Sequence, residues 1–122
     1  LELMEFLGIG GLAGLEATSL SYGQQRLVEL ARGLACGPDL LLLDEPAAGL
    51  NMRETAEMAE LISKIRETGI TVLIVEHDMS LIMNISDEII VLNYGQKVAD
   101  DIPLAIQKNE DVIRIYLGEE DA

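Results

Sequence analysis

Asp44 and Glu45 follow directly on the apolar run Leu40-Leu41-Leu42-Leu43. If that run is a buried strand, both carboxylates sit at its C-terminal end, where open α/β sheets bind ligands. An aspartate there can hold Mg2+, usually through water, because that hard cation prefers oxygen ligands and keeps much of its hydration. The neighbouring glutamate can orient and deprotonate an attacking water, as phosphoryl transfer requires. The same residues also suit a strand that ends in a solvated acidic turn. A second cluster, Leu20-Ser21-Tyr22-Gly23-Gln24, lies immediately before a helical pattern. A hydroxyl, a glycine backbone and the positive end of a helix can converge there on an anion such as phosphate. Ser21 equally suits a plain helix cap. A third group, Glu76-His77-Asp78, closes another apolar run.

The elements that must position these groups alternate between helical and strand patterns. From Gln24 to Ala35 the apolar residues Leu27, Leu30, Ala31, Leu34 and Ala35 recur at helical spacing, and Gly37-Pro38 stops the helix. Leu40 to Leu43 reads as a strand buried on both faces of a parallel sheet. A second helix spans Met52 to Thr68 with Met58, Leu61, Ile62 and Ile65 on one face and Gly69 beyond its end. Ile70 to Val75 is the next buried strand, then comes a short helix to Asn84 and a strand from Glu88 to Leu92. Asn93-Tyr94-Gly95-Gln96 is a turn into Lys97 to Ala99, so the sheet ends in an antiparallel hairpin. Pro103 to Lys108 and Asp111 to Leu117 are two short terminal helices, and Leu1 to Leu7 a short leading one. The whole is an α/β layer structure with a mostly parallel sheet flanked by helices. Gly8-Ile9-Gly10-Gly11-Leu12-Ala13 fits a dinucleotide-binding glycine pattern, but it follows a helical stretch instead of a strand and opens no clear helix.

Composition narrows the function classes. A chain of 122 residues, 49% hydrophobic, can bury one core. Its net charge of -14, with only eight Lys and Arg, repels nucleic acid and anionic lipid. The single Cys36 has no disulfide partner, which points to a reducing compartment and a buried, inert thiol. No apolar run approaches the roughly 20 residues that span a bilayer.

Taken together, Leu20-Ser21-Tyr22-Gly23-Gln24-Gln25-Arg26, then Leu43-Asp44-Glu45-Pro46-Ala47-Ala48-Gly49-Leu50-Asn51, then Glu76-His77-Asp78, resemble the signature motif, Walker B, D-loop and switch histidine of an ABC ATPase. The resemblance continues through Ser86-Asp87-Glu88-Ile89, Val91-Leu92-Asn93-Tyr94-Gly95 and Asn109-Glu110-Asp111-Val112-Ile113. It ends at Tyr116-Leu117-Gly118-Glu119, which is similar to the ATPases of branched-chain amino-acid transporters. Tyr22 and Asn51, where many relatives have glycine and aspartate, fit that subfamily. The resemblance implies a P-loop NTPase core: residues 1–24 would end its helical subdomain, and residues 25–122 would form the C-terminal part of the ATPase core. Ser21, Gly23 and Gln24 would contact the γ-phosphate of ATP held by the opposite subunit of a head-to-tail dimer. Asp44 would support Mg2+, Glu45 would be the catalytic base, and His77 would meet the γ-phosphate. Gly49, Leu50 and Asn51 would link the two sites. His77 also suits a helix-entry position beside Asp78, and Asn51 with Glu54 makes a capping-box start to the next helix.

The resemblance further implies a cytoplasmic subunit, peripheral on the inner face of the membrane. Its partners would be a second ATPase subunit, two permease subunits and, indirectly, an extracytoplasmic binding protein. Two departures stand out. Asp100-Asp101-Ile102-Pro103 lacks the glycine often found before that proline, leaving the turn open. No Gly-Lys dipeptide occurs at all, so the P-loop that cradles the β- and γ-phosphates is missing. With its start at Leu1, the chain reads as a C-terminal fragment: inactive by itself, prone to self-association, and part of an ATPase when intact. A non-transport ABC ATPase and a truncated, non-catalytic dimerisation module are the rival readings.

Overall fold

A computed structural model of the chain describes residues 2–117. Leu1 and residues 118–122, among them Gly118 and Glu119 of the C-terminal resemblance, lie outside the described residues. The chain forms two compact units that divide after Asp78.

The first unit runs α1 (Glu2–Phe6), two 3-10 turns (Gly10–Leu12 and Ala17–Ser19), α2 (Tyr22–Ala35), β1 (Leu40–Asp44), α3 (Met52–Glu67) and β2 (Thr71–Val75). The glycine-rich stretch after α1 is therefore a turn region and not a strand-to-helix nucleotide loop. α2 starts two residues before the expected Gln24, because Ser21 caps it. It ends at Cys36, followed by Gly37 at φ +64°, the left-handed conformation a helix stop favours. α3 is capped by Asn51 and buries Met58, Ile62 and Ile65, with Ile65 fully enclosed. β1 and β2 pair in parallel, from Leu40 opposite Thr71 to Asp44 opposite Val75, as strands joined by a crossover helix must.

Two expectations are corrected here. β1 and β2 are not buried on both faces: Leu41 is buried, but Leu40, Leu42, Leu73 and Val75 are each more than half exposed. Alternation sends these four to one face of the two-stranded sheet, and no described element covers it. Cys36 is exposed and not buried, since it is the C-cap of α2 and falls past the apolar stripe of Leu30, Ala31 and Leu34.

The second unit runs α4 (Met79–Ile85), β3 (Ile89–Asn93), β4 (Gln96–Asp101), α5 (Pro103–Lys108) and α6 (Glu110–Val112), which widens into a π-turn at Ile113–Leu117. β3 and β4 form the expected antiparallel hairpin. Tyr94 and Gly95 turn it with φ +50° and +75°, the two positive values that a type I′ turn requires. The α/β architecture is as expected. Pairing among the described residues is one parallel pair and one antiparallel hairpin rather than mostly parallel, because β1 and β2 have only each other as parallel neighbours.

Ile89, Val91, Ile106 and Val112 make the core of the second unit, flanked by Ile82, Met83, Val98 and Ala99. The turn that lacks glycine is resolved by Asp101, whose carboxylate accepts from the Ile102 N–H, with Pro103 opening α5. The Tyr116 hydroxyl donates to the Leu92 carbonyl.

Glu88, just before β3, shares a hydrogen bond with the Asp100 carboxyl and is repelled by its charge; Lys97 offsets this only in part. Its carboxyl is therefore held above the ordinary glutamate range. A glutamate raised in the folded state contributes stability that is full at low pH and lost as pH rises through the raised pKa. Asp100→Asn should return the Glu88 titration, followed by carboxyl-carbon NMR, to the ordinary range and abolish that pH dependence. An unchanged Glu88 titration in the variant would show that Asp100 is not the cause.

Candidate functional site

The N-terminus of α2 is closed by a reciprocal cap. Ser21 Oγ accepts from the Gln24 N–H at 3.2 Å, and Gln24 Oε1 accepts from the Ser21 N–H at 2.9 Å. This uses one of the two acceptor lone pairs of Ser21 and leaves its O–H proton to donate, while the N–H groups of Tyr22 and Gly23 lie in the unsatisfied first turn. The capping role and an anion-facing role are thus compatible in one geometry. Gly23 lies against the start of α3, where a Cβ would overlap the Glu54 carboxylate. Gly49, at φ +78°, lies under Tyr22, and a Cβ there would stand 2.7 Å from the Tyr22 ring. Ser21 to Gln24 and Gly49 to Asn51 therefore form one packed surface. Asn51 Oδ1 accepts from the Glu54 N–H at 2.8 Å, and Glu54 returns the bond to the Asn51 N–H at 3.1 Å, so the capping box read from the sequence is present.

Parallel pairing of Asp44 with Val75 brings the two strand ends level, so the residues that follow them meet. Glu45 Oε1 lies 3.0 Å from His77 Nε2. Glu45 has φ +48°, a conformation that costs a non-glycine residue about 1–3 kcal/mol and persists only where neighbours hold it. Its N–H donates to the Val75 carbonyl at 2.7 Å, and its own carbonyl accepts from Arg26 Nη2 at 2.6 Å. Asp44 is exposed on the same strand face as Leu40 and Leu42. It lines an open cleft with Arg26, Leu30 and Met58 and is not part of the Glu45–His77 pair.

Two residues given no role from sequence stand out. Glu76 Oε2 accepts from the Ala47 N–H at 3.1 Å, and its Oε1 accepts from the His77 N–H at 3.0 Å, which ties the loop after β1 to the loop after β2. The available signal was a lone carboxylate placed directly after the apolar strand Thr71–Val75. Arg26 is the other, a charged residue whose side chain is only 19% exposed on an otherwise apolar helix face. Glu45, Glu76 and His77 bring one ligand-capable atom each within 4.8 Å of one another. An imidazole nitrogen in that set suits Mg2+ poorly, whereas the exposed Asp44 carboxylate fits a cation that prefers oxygen and retains its waters.

Residues 1–48 match the ABC transporter family, and residues 96–122 match the branched-chain amino acid ATP-binding cassette transporter family. The chain is 50% identical to the high-affinity branched-chain amino acid transport ATP-binding protein BraF of Pseudomonas aeruginosa, over 95% of this chain and 46% of BraF. It is 49% identical to LivG of Escherichia coli, a protein with the same description, over 95% and 46%. The lipopolysaccharide export system ATP-binding protein LptB of E. coli is 36% identical, over 98% and 49%. Among solved structures, the ADP conformation of MJ1267, an ATP-binding cassette of an ABC transporter, superposes with a TM-score of 0.87 at 31% identity, over 97% of this chain and 48% of that one. The chain spans about half the length of the curated relatives it matches. With its signature turn, acidic strand end and histidine loop assembled as described, the chain carries part of the α/β core of an ABC ATPase and is similar along nearly its whole length to ATP-binding proteins of branched-chain amino-acid transporters.

Proposed function

We propose that this chain is the C-terminal part of an ATP-hydrolysing subunit that powers uptake of branched-chain amino acids. The observation that carries the catalytic reading is the Glu45–His77 pair, 3.0 Å apart at the ends of two adjacent parallel strands. Glu45 is the general base for the attacking water, and His77 meets the γ-phosphate. Asp44 holds Mg2+ through water, which lets the cation neutralise phosphate charge. Ser21, Gly23 and Gln24 serve the ATP held by a second subunit, through the free Ser21 O–H and the open N–H groups of the first turn of α2. Gly49, Leu50 and Asn51, packed on that turn through Tyr22 and Glu54, link the two sites. Residues 1–24 close the helical subdomain and 25–122 continue the ATPase core. No described helix is long and apolar enough to cross a membrane, so membrane attachment comes through two permease subunits, on the inner face. An extracytoplasmic binding protein supplies the amino acid.

The full-length subunit, purified with its permease in lipid, tests this reading. ATP hydrolysis should rise when leucine-loaded binding protein is added. Hydrolysis without that response would overturn the importer role, and co-purification without any permease would favour a non-transport ATPase.

The 122-residue stretch alone should bind Mg-ATP no tighter than about millimolar and hydrolyse none measurably, since the phosphates lack a P-loop cradle and the net charge of -14 repels them. The uncovered face of Leu40, Leu42, Leu73 and Val75 should drive it to self-associate. Calorimetry and light scattering check both, and a monomer with micromolar ATP affinity would contradict them.

A further inference from the structure

We propose that Arg26 is a positioning residue for Glu45, holding the catalytic turn in its left-handed conformation from a helix outside that turn. The inference rests on the catalytic reading of Glu45 given above. Four restraints act on Glu45: the ladder bond to Val75, the side-chain pairing with His77, the bond from Arg26 Nη2 to its carbonyl at 2.6 Å, and a bond to that same carbonyl from the Ala48 N–H at 3.0 Å. The first and the last are backbone bonds that any residue at position 45 would make. The second depends on the rotamer of an exposed histidine and cannot fix the backbone. Arg26 alone reaches the Glu45 peptide with a side chain that is itself held. Its guanidinium is half-buried, bonds Glu29 through Nη1 at 3.2 Å, and lies 5.9 Å from the Tyr22 ring centroid. A charged donor on a carbonyl is among the stronger hydrogen bonds, and this one sits where the backbone is least willing to stay.

The placement also has a direction. Arg26 lies one turn into the helix whose first residues are capped by Ser21 and Gln24, and Tyr22, which packs on Gly49, stacks beside the same guanidinium. A displacement of the α2 N-terminus is therefore passed to the peptide of Glu45 in the same chain. Loss of Arg26 should leave nucleotide affinity intact and let the Glu45 carboxylate wander from its water.

The test uses the full-length subunit. Arg26→Met should lower kcat roughly 10- to 100-fold, as loss of one charge-assisted bond implies, with KM for ATP nearly unchanged. Arg26→Lys, which keeps the charge but lacks the planar fork whose two nitrogens reach Glu29 and the carbonyl separately, should fall between wild type and the Met variant and remains informative if the Met variant folds poorly. Because Arg26 acts through Glu45, Arg26→Met should cost nothing further in a Glu45→Gln background. An additive loss in that background, a rise in KM as large as the fall in kcat, or wild-type turnover in Arg26→Met would overturn the assignment. Wild-type turnover in Glu45→Gln alone would instead remove the catalytic reading beneath it, so the two failures are told apart.

Discussion

Glu45→Gln in the full-length subunit should leave ATP binding and ATP-driven subunit pairing in place while turnover falls by a factor on the order of 10² or more. The substitution isolates one property. The bonds that hold the turn, from the Glu45 N–H to Val75 and from Arg26 to the Glu45 carbonyl, are made by the backbone of residue 45 and survive the change. The amide of Gln has the same shape and can still accept from the His77 ring. Only the ability to take a proton from water is lost. Steady-state hydrolysis alongside nucleotide affinity and size-exclusion chromatography separates these quantities, and turnover near wild type would remove Glu45 from the role of base.

His77→Ala should lower turnover by about 10²- to 10³-fold, the range seen when one transition-state hydrogen-bond donor is removed. The His77 side chain is 77% exposed and its ring pairs with Glu45 at the rim of the site, so its removal opens no cavity. Thermal stability should change by about 1 kcal/mol or less, as for other exposed pairs. ATP affinity should drop far less than the rate, because the γ-phosphate contact proposed for His77 would matter most at the transition state. An affinity loss equal to the rate loss would place His77 among ground-state binding residues.

What the sequence disclosed and what it hid divide along physical lines. The start of α3 was legible because its cap is local, Asn51 with Glu54 closing within one turn, whereas α2 was begun two residues late because its first turn, Tyr22-Gly23, adds nothing to the apolar stripe. The hairpin turn was legible because Tyr94-Gly95 supplies the glycine its backbone needs. Burial of β1 and β2 was over-read, since apolar composition records that Leu42 and Leu73 favour cover but not which element provides it. The exposure of Cys36 depended on one residue of helix ending. Glu45 and His77 were found as motif members, yet their approach follows from the parallel register that sets Asp44 beside Val75. Arg26 and Glu76 were named within motifs without a role, because their partners are the carbonyl of Glu45 and the N–H of Ala47. Backbone groups are the same at every position and leave no trace in residue type.

Glu54 ends up with two duties that no single residue advertises. One carboxylate oxygen closes the start of α3 by accepting from the Asn51 N–H, and the other occupies the space in which a side chain at position 23 would have to grow. Moving it aside to admit a methyl group at Gly23, or shortening it, would cost α3 the bond from the Asn51 N–H and leave its cap to the Asn51 side chain alone. Positions 23, 51 and 54 are thereby coupled through one side chain, so a change at any of them is felt at the other two. The turn at the start of α2 is thus kept narrow by a carboxylate whose other duty is to start a helix.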